Sequence, residues 1–334
     1  MEEYNMKILI MGNKDRYKKY MPDIDIIKDI TMVFCPRDAS DEELLQVASD
    51  AEAIAIDPTA KLSGNVIRKM ANLRIIQSEG VGYNGIDCEA ARERGIYVCN
   101  SKGANAAAVA EQTVLLMLAL LRKITVGDRT VREGNQIHMK EQMMIEGITE
   151  LSDCKVGLIG FGDIAMATAK RLEPFECQLY YYSRTRKALD VEEEYKVSYM
   201  DLEELAGTCD IISIHCPVTP ETTGMINKEF LSKMKASAYI VNTARGEIVD
   251  NEALYHAIVS EQIQGAGLDT VAPIPVTLDN ILLNLPEKYA DRIIFSPHIG
   301  GVTTSFFYRA HKKNWLNIDA ALKGQRPSNI VNGL

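Results

Sequence analysis

Short apolar runs alternate with amphipathic segments in the first third of the chain. Gly, Pro, Asp or Asn bounds each run, and the segments between the runs have helical spacing. One of these segments, 41–49, follows Ser40 and contains Glu43, which is the pattern of a capping box at the start of a helix. Such alternation is typical of a parallel sheet with helices on both faces. The predicted strands here are 7–11, 30–34, 53–56 and 74–77.

A second set of alternating elements follows in the middle of the chain. Before it comes 104–122, an apolar segment rich in strong helix formers that predicts a long buried helix, and then 128–150, a polar stretch that we interpret as a connecting arm. The closing segment, 305–323, is predicted to be a helix that packs on the first set. The second set comprises strands 155–159, 178–182, 211–215, 238–242, 266–269 and 292–296 with helices 164–172 and 201–206.

Composition adds limits on size and partners. A chain of 334 residues with 46% hydrophobic residues is expected to form two globular domains. The formal charge is −9, and the basic residues form no cluster, which argues against nucleic acid or an anionic membrane surface as a partner. A small anion can bind only where local groups overcome this field.

Cysteine usage and hydropathy indicate the compartment. The seven cysteines show no Cys-x-x-Cys pair and no metal-ligand spacing, so we expect reduced thiols, a cytoplasmic protein and no metal centre. The longest apolar run, 114–121, is far below the ~18 residues of a membrane span. The opening segment, 1–12, lacks the pattern of a signal peptide.

The sharpest local motif is Gly157-Leu-Ile-Gly160-Phe-Gly162-Asp-Ile-Ala165, which lies between a predicted strand and a predicted helix. Gly160 permits the tight turn, Gly162 lets the backbone approach a pyrophosphate, and Ala165 permits close packing of the helix. With strand and helix in place, the motif predicts a dinucleotide site.

The end of the next strand indicates which dinucleotide binds. NAD sites place Asp or Glu about 20 residues beyond the glycines, whereas an Arg there accommodates a 2′-phosphate. Here the segment is Tyr-Ser183-Arg184-Thr185-Arg186-Lys, without an acid. The planar fork of arginine matches phosphate oxygens, so NADP(H) is the predicted cofactor, with NAD(H) as the other possibility.

Further motifs occur in a fixed order along the chain. They are Gly-Val-Gly-Tyr-Asn-Gly-Ile-Asp at 80–87, Gly-Ala-Asn-Ala-Ala-Ala-Val-Ala-Glu at 103–111, Asn-Thr-Ala-Arg-Gly-Glu-Ile-Val-Asp at 242–250, Gly-Ala-Gly-Leu-Asp at 265–269 and Ser-Pro-His-Ile-Gly-Gly at 296–301. With the dinucleotide motif, they resemble the D-isomer-specific 2-hydroxyacid dehydrogenases. The turn at 183–185 is similar to that of NADP-using glyoxylate and hydroxypyruvate reductases.

The resemblance implies an α/β fold of two doubly wound, Rossmann-like domains with parallel sheets and an active site in the cleft between them. It implies a substrate domain, 1–103, that the C-terminal segment 303–334 completes, and a dinucleotide-binding domain, 104–302. It also implies a homodimer.

The resemblance also assigns roles to residues. Arg245 matches the arginine that binds the substrate carboxylate, and His298 matches the acid/base histidine. Val81, Gly82 and Asn105 are implied to bind substrate with Arg245. The implied cofactor-binding residues are Gly160, Gly162, Asp163, Ile164, Ser183, Arg184, Thr185, Cys216, Pro217, Thr222, Thr243, Ala244, Asp269, His298 and Gly300.

One position departs from the family. Its members pair the histidine with a glutamate that follows the Leu-Asp motif, and that position here is Ile274. Without the carboxylate, we expect the pKa of His298 to lie near or below its reference value of ~6.5. Glu79, just before the 80–87 motif, is a candidate substitute, although we interpret it mainly as a surface loop charge.

Three hypotheses follow. The first is an NADP(H)-dependent reductase of a small 2-oxo acid, with glyoxylate and hydroxypyruvate as the leading substrates. The second is a catalytically weakened nucleotide-binding regulatory protein of the same fold. The third is a short 3-phosphoglycerate dehydrogenase.

Overall fold

A computed structural model describes residues 6–334. The chain forms two compact units, one made of the chain up to Asn105 together with Thr303–Leu334 and the other of Ala106–Val302. Residues 1–5 lie outside the described residues. They are the beginning of segment 1–12, whose sequence lacks the pattern of a signal peptide.

The first unit is built on a five-stranded parallel sheet. Its strands are β1 (Met6–Met11), β2 (Ile30–Cys35), β3 (Ala53–Ile56), β4 (Ile75–Ser78) and β5 (Tyr97–Cys99), in the order β2-β1-β3-β4-β5. Its helices are α1 (Lys14–Lys19), α2 (Asp41–Ala48), α3 (Gly64–Lys69), α4 (Cys88–Glu93) and the closing α14 (Thr304–Leu322). Apolar residues of β1 and β3 are buried on both faces of the sheet, as expected where helices cover both sides.

The second unit contains a seven-stranded parallel sheet. Its strands are β6 (Lys155–Ile159), β7 (Gln178–Tyr182), β8 (Val197–Tyr199), β9 (Ile211–Ile214), β10 (Tyr239–Asn242), β11 (Gly265–Leu268) and β12 (Ile293–Phe295), in the order β12-β11-β10-β9-β6-β7-β8. Its helices are α5 (Ala106–Leu121), α6 (Ile124–Arg132), α7 (Gln136–Glu146), α8 (Asp163–Leu172), α9 (Leu189–Tyr195), α10 (Leu202–Thr208), α11 (Lys228–Ser232), α12 (Asn251–Val259) and α13 (Glu287–Ala290).

The predicted α/β fold class with two parallel sheets is confirmed, and so is the capping box that Ser40 and Glu43 form at the start of α2. The 128–150 stretch, interpreted as a connecting arm, lies mostly in α6 and α7, helices that the sequence analysis did not predict. Helix α7 buries no residue among those described, so it lacks the buried apolar face by which sequence periodicity usually indicates a helix. The short strands β5 and β8 were missed as well.

The strand orders indicate where each sheet can bind a ligand. In the first sheet, β1 lies between β2 and β3; in the second, β6 lies between β9 and β7. At such switch points the loops after the strands separate and leave a crevice outside the carboxyl ends. We therefore expect ligand sites at the loops after β1 and β3 in the first sheet and at the loops after β6 and β9 in the second.

Neither a membrane-spanning helix nor a metal-binding group is found among residues 6–334. No helix in residues 6–334 has the length and hydropathy needed to cross a bilayer. Within the same range, His, Cys, Asp and Glu side chains form no group of three that is arranged to hold a metal ion.

Candidate functional site

The glycine turn between β6 and α8 has the features of a dinucleotide site. Gly160 has φ of +91°, and an added Cβ would lie 2.8 Å from the backbone nitrogen of Cys216. An added Cβ at Gly162, in contrast, would meet no atom within 4 Å. Gly162 is the N-cap of α8 and provides no side-chain acceptor for the first amides of the helix. An open approach to free amides at a helix N-terminus suits a pyrophosphate.

The basic turn after β7 contains two arginines with different surroundings. Arg186 donates to both carboxylate oxygens of Glu192 over 2.8 Å each, and the Tyr181 hydroxyl donates to the same carboxylate over 2.7 Å. These partners lower the pKa of Glu192 to about 2. Arg184 is exposed and enters no ion pair among residues 6–334, although it interacts electrostatically with Glu221. The guanidinium of Arg186 is thus paired with Glu192, whereas that of Arg184 has no ion-pair partner in this range.

The predicted cofactor residues after β9 and β10 are held by local hydrogen bonds. The Thr222 hydroxyl donates to the Pro217 carbonyl over 2.7 Å and accepts from the Thr219 amide over 2.8 Å. The Thr243 hydroxyl is buried 2.8 Å from that of Thr113. These hydroxyls therefore shape the loops around the glycine turn.

Arg245 and His298 follow β10 and β12, the two strands of the second sheet that flank β11. Burial lowers the pKa of Arg245, and its Nη1 donates to the Ala244 carbonyl over 2.8 Å. His298 has φ of +57°, a left-handed conformation that a non-glycine residue keeps only where its surroundings hold it. The positive charge of Arg245 disfavours the protonated form of His298.

Asp269, at the end of β11, holds the histidine loop in place. Its Oδ1 accepts from the Ser296 hydroxyl over 2.5 Å and from the Ile299 amide over 3.0 Å. Its Oδ2 accepts from the Gly300 amide over 2.8 Å. The carboxylate is 2% exposed and binds the residues on both sides of His298, so it determines the position of the imidazole.

The pKa of His298 lies below its ordinary value. Burial is the main cause, and the charge of Arg245 adds to it, whereas Asp269 and Glu247 act in the opposite direction. Ile274, at the position of the missing family glutamate, is 51% exposed and offers no charge. The sequence analysis missed Glu247, which interacts electrostatically with both Arg245 and His298. The signal that the sequence offered for Glu247 was its position two residues after Arg245.

In the first unit, the loop after β4 leaves two backbone amides without an acceptor among the described residues. The Ser78 hydroxyl donates to the Gly82 carbonyl over 2.6 Å, and the Asn100 side chain donates to the Val81 carbonyl over 2.8 Å. Among the described residues, the amides of Val81 and Gly82 donate to no acceptor. The carbonyls of Val81 and Gly82 accept these hydrogen bonds, and the amides of the same two residues are free to donate to a ligand. Asn105 Oδ1 is buried and also has no partner in this range.

The interpretation of Glu79 as a surface loop charge was wrong. Its side chain is 4% exposed and forms an ion pair with Arg16, which also binds Asp57 over 3.2 Å. Burial raises the pKa of Glu79 to about 7, against the opposing effect of Arg16. Glu79 directly follows β4, and the fold buries its side chain beside Arg16 and Asp57. These partners are distant in the sequence, so the residues around Glu79 do not reveal the burial.

Comparisons with known proteins agree with this arrangement. Residues 114–300 match the family model described as "D-isomer specific 2-hydroxyacid dehydrogenase, NAD binding domain". A glyoxylate reductase of Thermofilum pendens is 38% identical over 294 residues, which are 88% of this chain and 85% of that protein. A hydroxypyruvate reductase of Thermotoga maritima is 37% identical over 262 residues, covering 78% of this chain and 82% of the relative.

A solved structure shows a similar fold. The D-lactate dehydrogenase of Aquifex aeolicus, complexed with NAD and lactic acid, has a TM-score of 0.83 and 27% identity and covers 98% of this chain and 99% of its own. The chain belongs to the D-isomer-specific 2-hydroxyacid dehydrogenase family. It is a 2-hydroxyacid oxidoreductase with a Rossmann-type NAD-binding domain.

The two glycines of the dinucleotide turn should respond differently to alanine. Gly160→Ala places a Cβ in a left-handed residue and against the Cys216 backbone, so we expect it to lower the free energy of unfolding by about 1–3 kcal/mol. Gly162→Ala meets no atom, so its stability should stay within about 0.5 kcal/mol of the original while dinucleotide affinity falls. Denaturant unfolding and cofactor titration measure the two effects. Equal destabilisation by both substitutions would contradict this account.

Proposed function

We propose that the protein is an NADP(H)-dependent reductase of a small 2-oxo acid, with glyoxylate and hydroxypyruvate as the leading substrates. The observation that supports it most is the His298 loop, which three hydrogen bonds to Asp269 fix at the end of β11, with Arg245 following the adjacent strand β10. The names of the relatives from Thermofilum pendens and Thermotoga maritima support the substrate class.

The proposed roles follow from the chemistry of each group. Arg245 binds the substrate carboxylate through its fork and polarises the adjacent carbonyl. The free amides of Val81 and Gly82, together with the Asn105 side chain, are proposed to hydrogen-bond to substrate. His298 in its protonated form donates a proton to the carbonyl oxygen as reduction proceeds and accepts it back during oxidation.

The dinucleotide is proposed to lie over the carboxyl end of the second sheet. Gly160, Gly162, Asp163 and Ile164 would receive the pyrophosphate at the start of α8, where the approach is open. Other loops would enclose it: Cys216, Pro217 and Thr222 on one side, and Thr243, Ala244, Asp269, His298 and Gly300 around the nicotinamide. When bound, this cofactor supplies the hydride.

We propose a preference for NADPH over NADH. Arg184 is the guanidinium of the basic turn with no ion-pair partner among residues 6–334, and Ser183 and Thr185 add hydroxyls beside it. A 2′-phosphate would engage these groups, whereas a bare ribose finds no carboxylate acceptor in this turn.

We also propose that the protein works as a homodimer. Helices α6 and α7 expose large apolar side chains, including Val131 at 53%, Met144 at 73% and Ile145 at 87%. Exposed apolar clusters of this kind usually mark contacts between proteins. A second copy of the chain would cover them.

The cytoplasm is the proposed compartment. All seven cysteines are free thiols, which is the state that a reducing environment maintains.

The first test is turnover itself. Oxidation of NADPH should be fast with glyoxylate or hydroxypyruvate, and Arg245→Lys should lower kcat/KM by about 30- to 150-fold, because one charge without the fork loses about 2–3 kcal/mol of orientation and binding. Arg171→Lys, in the surface ion pair with Glu111, is the matched control. Absence of turnover in the unsubstituted protein, or near-normal turnover in Arg245→Lys, would contradict the proposal.

The second test separates the two arginines of the basic turn. Arg184→Ala should raise the KM for NADPH about tenfold or more and leave that for NADH almost unchanged, since a charge-assisted contact contributes about 1.5–3 kcal/mol. Arg186→Ala removes the Glu192 pair and should affect stability more than cofactor choice. Steady-state kinetics with NADPH and with NADH measure the KM for each cofactor in the two variants. Equal efficiency with NADPH and NADH in the unsubstituted protein would overturn the preference.

The third test concerns assembly. Ile145→Asp introduces a charge into the apolar surface of α7 and should convert a dimer into monomers in sedimentation velocity. Leu189→Asp changes an exposed leucine of α9, 66% exposed, and should leave the dimer intact. A monomeric unsubstituted protein would disprove the dimer.

A further inference from the structure

Three cysteines precede three neighbouring strands of the second sheet. Cys154 lies directly before β6, Cys177 lies directly before β7, and Cys209 lies two residues before β9. Strand β6 runs between β7 and β9, so Cys154 has one of the other two cysteines on each side. All three are free thiols, and none of them is among the residues proposed to bind substrate or cofactor.

The register of the parallel strands places Cys154 and Cys177 side by side. Lys155 is the partner of Gln178 in the ladder between β6 and β7, so the residues one position earlier are neighbours as well. The Gln178 amide donates to the Cys154 carbonyl over 3.2 Å, which extends the ladder to Cys154. Neighbouring strands lie about 4.7–4.9 Å apart. This spacing falls within the range of about 4.4–6.8 Å that disulfides bridge between Cα atoms.

The two side chains also point to the same face of the sheet. Cys154 belongs to the core cluster that contains Val156, and Cys177 packs against that cluster, which also contains Leu179. Side chains two positions apart on a strand share a face, so the register and the packing agree. The thiols of Cys154 and Cys177 therefore lie on one side of the sheet, on adjacent strands.

The other neighbour of Cys154 faces the opposite way. Cys209 packs in the cluster that contains Ile159, on the other side of the sheet. An added Cβ at Gly157 would lie 2.9 Å from the Cys209 sulfur, and positions 157 and 159 alternate with those that share the face of Cys154. Of the two cysteines that flank Cys154, only Cys177 presents its thiol on the same face.

The turns that carry the two cysteines are open to solvent. Cys177 is half-buried between Glu176 and Gln178, which are both exposed. A depression of about 430 Å³ opens between the segment before Cys154 and the segment before Cys177, and its lining includes Thr149, Glu150, Leu151, Ser152, Pro174 and Phe175. A small reagent that enters from this side meets Cys177 before Cys154, which is 2% exposed.

We propose that Cys154 and Cys177 are a redox-sensitive pair, which forms a reversible disulfide between β6 and β7 when the protein meets a low-molecular-weight disulfide. The Cys177 thiolate attacks one sulfur of the reagent and releases the first small thiolate. The Cys154 thiolate then attacks the Cys177 sulfur and releases the second. Two electrons pass from the cysteines to the reagent, and the two protons of the cysteine thiols end on the released small thiols. The new bond closes the segment 154–177, which contains the glycine turn and α8.

The surroundings of the thiols predict slow formation and easy reduction. Burial raises the pKa of both thiols to about 11, so the thiolates are scarce near neutrality and the rate should rise about tenfold per pH unit in the mildly alkaline range. Cys154 donates to the Glu150 carbonyl over 3.4 Å and Cys177 to the Leu172 carbonyl over 3.8 Å, and the disulfide gives up both contacts. Disulfides bring the Cβ atoms to about 3.8 Å, closer than the strand spacing, and the resulting strain favours reduction.

The test is disulfide mapping of the full-length protein. The protein is incubated with oxidised glutathione at mildly alkaline pH, the remaining thiols are alkylated, and the peptides are identified by mass spectrometry without reduction. We expect one intramolecular disulfide, between Cys154 and Cys177, which dithiothreitol removes. Cys154→Ser should stop at a mixed disulfide of Cys177 with glutathione, and Cys177→Ser should form no intramolecular disulfide. Cys209→Ser is the matched control, and it should oxidise as the unsubstituted protein does.

Three results would overturn the pair. They are an intramolecular disulfide that includes Cys209, a mixed disulfide at Cys177 of the unsubstituted protein that never resolves onto Cys154, and seven thiols that persist under conditions in which the urea-unfolded chain is oxidised. Mapping of the unsubstituted protein distinguishes all three, so the test holds even where a serine variant fails to fold. None of these results depends on which acid the protein reduces.

Discussion

The arrangement of the candidate site depends on one buried carboxylate. Asp269 accepts hydrogen bonds from Ser296, Ile299 and Gly300, the residues that flank His298. These bonds hold the histidine in a left-handed backbone conformation. A buried charge left without these donors would cost several kcal/mol, so the loop and the carboxylate stabilise each other. The family resemblance implies that Asp269 lies near the nicotinamide. The structure shows in addition that Asp269 fixes the His298 loop by accepting three hydrogen bonds.

The acidic character of the whole chain and its proposed preference for anions are compatible because the binding groups are local. The net charge is −9, yet the free amides of Val81 and Gly82, the first turn of α8 and the guanidinium of Arg184 are short-range donors. Directed N–H groups act over a hydrogen-bond length, whereas salt screens the diffuse field of exposed carboxylates beyond about 10 Å.

Ion pairs decide which of the charged residues remain available. Glu192 occupies Arg186, and Arg16 occupies Glu79 and Asp57, so these groups serve the local structure. Arg184 keeps its charge without a described ion-pair partner, and our proposal for cofactor choice depends on it. A list of charged residues in the sequence does not distinguish the two groups, since pairing depends on neighbours that are distant along the chain.

The sequence by itself determined the fold class, most strands and the glycine turn, because period and turn chemistry are local properties of the chain. The motifs around Arg245 and His298 likewise indicated the family that the comparisons established. Only the tertiary structure showed that Glu79 is buried, that Arg186 is paired and that 128–150 is largely helical. It alone showed that the turn after β10 packs on the segment after β11, since contact between those segments depends on the order of strands in the sheet.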